Sequence, residues 1–154
     1  MATPIIKTPL ETAELRLIEI DRGIRDLKEK FENKQSERVI SNHVWMQDYI
    51  ERIVKQHIPP FKEAVMKTRG GHLGNFNSTT NFDLLARHCD EIGKIIDSII
   101  LMYKMRASYF DIKIKWQYAV PKINENLMHL KNRFGVVKGQ LSRKHFEYEE
   151  DRLF

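Results

Sequence analysis

Phe110-Asp111-Ile112-Lys113-Ile114-Lys115-Trp116-Gln117-Tyr118-Ala119-Val120 is the stretch on which the fold class turns. It alternates apolar and polar residues with period two, the pattern of a half-buried strand. Wound as a helix, the same apolar residues spread around the circumference. A strand needs a partner, and no second alternating segment occurs in the chain. Thr3 to Lys7, or another subunit, would have to supply the pairing. The helical reading is preferred because the flanking segments are helical in pattern. A lone strand at 110–120 is the alternative.

Working outward, Pro121 reads as the first residue of a new helix. Ile123, Leu127, Leu130, Phe134, Val137 and Leu141 then recur in steps of three and four, straight through Gly135 and Gly139. The spacing predicts a last helix reaching the tail Glu149-Glu150-Asp151, with a flexible point at the glycines. On the other side, Phe82, Leu85, Cys89, Ile92, Ile96, Ile99 and Tyr103 form a heptad seam. Thr80-Asn81-Phe82-Asp83 opens it as a box-like cap. Upstream lies the one loop of any length, Gly70 to Thr79. A short helix over Phe61 to Thr68 precedes it. Pro59-Pro60 is expected to stop the helix before that, predicted over Glu37 to His57. The N-terminal helix has the clearest signal. Thr8-Pro9-Leu10-Glu11 is a capping box with proline at the first helical position, and Leu10, Ala13, Leu17, Ile20, Ile24, Leu27 and Phe31 follow as an unbroken seam. It predicts a helix over Pro9 to Glu32, with Gly23 off the seam. The chain therefore reads as all-α: a bundle of four long amphipathic helices plus one short helix, in a single domain over 1–154.

Charge is distributed unevenly along this frame. The segment 104–146 holds ten Lys and Arg against two acids, a net +8, whereas the whole chain carries +5. Residues 147–154 form an acidic tail. Aromatic residues are interleaved with the basic run, and a local cationic field of this kind points to a polyanion. Lys104, Arg106, Lys113, Lys115, Lys122, Lys131, Arg133, Lys138, Arg143 and Lys144 are the candidate phosphate contacts, with Trp116 or Tyr118 offered for stacking.

Other motifs carry less. Arg69, Gly70, Gly71, Ser78 and Thr79 outline an anion-binding loop at a helix start, but without the spacing or lysine of a P-loop. A plain connector is the simpler reading. His88 and Glu91 share a helix face, yet a pair falls short of a coordination shell, so no metal or cofactor is expected. Cys89 lies on an apolar seam and reads as a small buried hydrophobe. A single cysteine forbids an intrachain disulfide and suits a reducing compartment. No segment has the length and apolarity of a membrane span, nor does the N-terminus resemble a signal peptide.

These observations together predict a non-enzymatic, self-associating structural protein that binds nucleic-acid backbone, DNA or RNA, with weak sequence specificity. A packaging, coat or nucleoprotein-type subunit fits, as a homo-oligomer or beside a related subunit. The location expected is the cytoplasm or a nucleoprotein particle such as a virion. The alternative is a helical protein–protein adaptor or accessory subunit whose basic face meets an acidic partner.

Overall fold

The computed structural model describes residues 8–33, 36–71 and 79–152, with side chains for all of these except 70–71, 79–80 and 142–152. Helix α1 spans Pro9–Glu32 and starts as its capping box dictates, the Thr8 hydroxyl accepting from the Glu11 amide at 3.1 Å. Its seam from Ala13 to Phe31 is buried. Burial of one large aliphatic or aromatic side chain is worth about 1.5–3 kcal/mol, so this face, more than intrinsic propensity, holds the helix.

The helix expected over Glu37 to His57 is instead broken into three pieces. They are α2 (Glu37–Ile40), α3 (His43–Ile53) and a 3₁₀ turn over Lys55–His57. The break is local chemistry. Asn42 adopts an extended conformation and its side-chain oxygen accepts from the Trp45 amide at 3.1 Å, which starts a new helix rather than continuing the old one. Pro59-Pro60 likewise does the opposite of what was expected. Both prolines lie in the first turn of α4 (Ile58–Gly71), where an amide has no intrahelical acceptor to lose. They start a helix that is longer than the predicted Phe61 to Thr68.

Helix α5 spans Thr79–Lys104 and α6 spans Tyr109–Arg152. The described residues contain no strand, and 110–120 is helical. Its alternation has a structural cause. Ile112, Trp116 and Ala119 are buried on the inner face of α6, while Phe110 and Tyr118 are exposed on the outer face. Two apolar stripes on opposite sides of one helix interleave in sequence and imitate period two. Pro121 does not begin a new helix but sits inside α6. It lies on the exposed side, so the Gln117 carbonyl that it leaves without a donor faces water. The Thr3 to Lys7 segment proposed as a strand partner lies outside the described residues.

Helix α1 packs on the α3–α4 arm and on α6, and α5 packs on the same arm and on α6, closing a four-sided bundle. Two ladders of ion pairs edge its antiparallel seams. Lys55–Asp97 (2.6 Å), Lys62–Asp90 (2.5 Å) and Arg69–Asp83 (3.1 Å) join the arm to α5 at heptad intervals. Lys131–Asp21 (3.6 Å) and Lys138–Glu14 (2.6 Å) join α6 to α1 in the same way. At Gly23 α1 lies directly against the end of α3, where an added Cβ would collide with the Ile53 carbonyl oxygen.

Candidate nucleic-acid interface

The turn between α5 and α6 is built on an unusual backbone. The Arg106 amide donates to the Tyr103 carbonyl (3.1 Å) and the Ala107 amide to the Met102 carbonyl (3.0 Å), the paired bonds of a Schellman motif. Arg106 occupies its left-handed position, with φ 55°, where glycine is the usual residue. The left-handed conformation costs an ordinary side chain about 1–2 kcal/mol. Neighbouring bonds hold the turn in place. His43 Nε2 donates to the Ala107 carbonyl (2.6 Å), and the buried Tyr103 hydroxyl donates to the Ile40 carbonyl (3.0 Å). Burial, with Tyr109 adding to it, pushes the Tyr103 hydroxyl well above the usual phenol range. Ser108 Oγ then accepts from the Asp111 amide (3.1 Å) and launches α6.

The candidate cations separate into two groups around this turn. Lys104, Arg106, Lys115 and Lys122 are exposed, and their side chains make no ion pair or hydrogen bond among the described residues. Lys113 is half-buried, its ammonium 5.6 Å from the centre of the Tyr109 ring. Lys131 and Lys138 are committed to Asp21 and Glu14, and Arg133 donates to Asn81 Oδ1 at 3.2 Å. These last three serve the seams between helices. The side chains of Arg143 and Lys144 lie outside the described residues, as do those of the acidic tail.

Trp116 is a correction. Its ring is 2% exposed and stacks on Phe31 with centroids 4.7 Å apart and planes 15° from parallel. An indole locked in the core cannot meet a ligand. On the described part of α6 the aromatic rings that do face solvent are Tyr118, 81% exposed, and Phe110, 69% exposed. The sequence offers Tyr118 for stacking but does not single out Phe110. The signal for it was the second stripe of the 110–120 alternation, which marks an outer apolar face. Leu101 and Met105 are exposed at the same end of the bundle.

The anion loop loses most of its parts. Arg69 is paired with Asp83, and Gly70 and Gly71 complete α4 instead of forming a loop. Ser78 lies outside the described residues, and Thr79 is the first residue of α5 with its side chain undescribed. His88 is likewise engaged: its Nδ1 bonds Asn126 Oδ1 at 3.0 Å, and its ring stacks on His129 at 5.1 Å. Among the described residues no group of three or more His, Cys, Asp or Glu is arranged to hold a metal ion.

Two further groups have displaced proton affinities. Burial pushes the Cys89 thiol up to about 12, with the Asp90 carboxylate adding to the effect and Lys62 opposing it. A thiol held neutral in this way is a packing group rather than a nucleophile. Burial lowers the His57 pKa, helped by the Arg16 guanidinium, which donates to His57 Nδ1 at 3.1 Å. His57 thus accepts as a neutral imidazole between α1 and the 3₁₀ turn.

No family model matches the chain, and no curated protein or solved structure gives a significant match to it. Among the described residues no helix is long and apolar enough to cross a membrane.

Proposed function

We propose that this chain is a non-enzymatic helical structural subunit, of a packaging, coat or nucleoprotein type, that binds nucleic-acid backbone at the α5–α6 end of its bundle. The observation that carries the reading is a set of four exposed cations with unpaired side chains that begins at the α5–α6 turn and continues along α6: Lys104, Arg106, Lys115 and Lys122. A cation already paired within the fold gains little by exchanging its carboxylate for a phosphate. A free one releases condensed counterions when it binds. Arg106 supports the assignment further, because a left-handed arginine where glycine would be unstrained suggests a use for its side chain. Leu15 and Ile18, exposed together on the outer face of α1, supply apolar surface for self-association.

The test is binding of nuclease-treated protein to labelled oligonucleotides across a salt series. A variant with glutamine at Lys104, Arg106, Lys115 and Lys122 should lose binding while its circular dichroism and Tm stay unchanged. Affinity equal to the parent protein in that variant overturns the reading. A second reading, a protein–protein adaptor, is favoured by the exposed Leu101 and Met105 beside the cations. A stoichiometric protein partner retained after nuclease treatment would support it.

A further inference from the structure

The surface proposed to bind nucleic acid is not a plain cationic face, and its rings narrow the class of ligand. Phe110 and Tyr118 lie eight residues apart on the outer stripe of α6, about 12 Å along the helix axis. Both are more exposed than buried aromatic rings of a core, at 69% and 81%. Ile114 lies between them on the same stripe. Lys115 and Lys122 follow the stripe one heptad apart, exposed and without partners among the described residues. The acids of this stretch are Asp111 and Glu125, both exposed.

A duplex has little use for such rings. Its base faces are covered by stacking on either side, and a phosphate-binding surface for duplex needs cations rather than protruding aromatics. A single strand presents open base faces together with a flexible backbone. Proteins that bind it combine a cationic track with aromatic side chains on which bases stack. Phe110 and Tyr118 supply such rings, and Lys115 and Lys122 run parallel to them as the track.

We infer that the ligand of this surface is single-stranded nucleic acid, held by stacking of its bases on Phe110 and Tyr118 while its phosphates meet Lys115 and Lys122. The inference rests on the nucleic-acid reading above and specifies the strand state of its ligand. Base stacking tolerates sequence, so the surface should discriminate strand state and not base order. With Lys104 and Arg106 included, four phosphate contacts give a log–log salt slope of about −3, at −0.7 per phosphate on a single strand.

The experiment compares a twenty-nucleotide oligodeoxyuridylate, an oligouridylate of equal length and a duplex of equal length by fluorescence anisotropy. The ligands are titrated with the whole chain and with its F110A/Y118A variant. Either single strand should bind at least tenfold tighter than duplex, and which of the two binds better identifies the sugar. The double variant should lose tenfold or more on single strands while keeping its salt slope, its duplex affinity and its Tm. Equal affinity for duplex, or an unchanged single-strand affinity in the variant, overturns the inference and leaves backbone binding standing. Absence of binding to all three ligands overturns both readings.

Discussion

At the scale of single residues, chemistry and packing pull apart most clearly at Arg106. Its φ of 55° places an arginine in the left-handed position that ends α5, and the two Schellman bonds around it are intact. Glycine there would remove the strain of roughly 1–2 kcal/mol that a Cβ imposes, offset in part by glycine's larger loss of freedom on folding. Arg106→Gly is therefore expected to keep or raise the Tm, and at the same time to weaken oligonucleotide binding severalfold and flatten the salt dependence by one phosphate contact. A variant that loses stability together with affinity would mean that the arginine serves the fold. Residue-level roles were only partly legible beforehand. Trp116 and Tyr118 stand two apart in one alternating run, and nothing in that run distinguishes the stacked core indole from the exposed phenol until the helix is wound. Once it is wound, 100° per residue separates them onto opposite faces.

At the scale of elements, the seams were legible and the punctuation was not. The N-terminal seam and cap foretell α1 from Pro9 to Glu32 because cap, period and burial agree there. Pro59-Pro60 misleads because proline is equally compatible with the end of one helix and the first turn of the next. The glycines show how context decides the sign of a substitution. Gly23, which sequence spacing places off the seam, is a point where α1 touches the end of α3, and a Cβ there would collide with the Ile53 carbonyl oxygen and lie 3.2 Å from Val54 Cγ2. Gly135 and Gly139 have nothing within 4 Å. Helix propensity alone favours alanine at all three by about 1 kcal/mol. Overpacking costs about 1–3 kcal/mol or more and falls on Gly23 alone. Gly23→Ala should lower the urea midpoint, because the clash is with backbone that cannot rotate away. Gly135→Ala and Gly139→Ala should each raise it. A stabilised Gly23→Ala protein would show that α1 and α3 stand further apart than described.

At the scale of the whole molecule, the question is which charges hold the bundle and which face outward. Sequence counting treats the ten cations of 104–146 as one field, since charge along a chain carries no information on partners far away in it. Folding divides them. Asp21 and Glu14 on α1 come opposite Lys131 and Lys138 only because α1 and α6 run antiparallel, a relation that no local motif encodes. Such half-exposed pairs contribute about 0–1 kcal/mol each, so neutralising them hardly moves stability. Reversing them sets glutamate against Asp21 and Glu14, and like charges in contact push the helices apart. The division gives opposite expectations for two matched variants. Lys131→Gln/Lys138→Gln should bind oligonucleotide within about twofold of the parent and lose no more than a few degrees in Tm. Lys115→Gln/Lys122→Gln should keep the parent Tm and lose two phosphate contacts, a change in salt slope of about 1.4 on a single strand. Equal losses of affinity in the two variants would mean that the ladder lysines leave their carboxylates for the ligand. In that case the interface would extend along α6 to its seam with α1, well beyond the turn at the α5–α6 end.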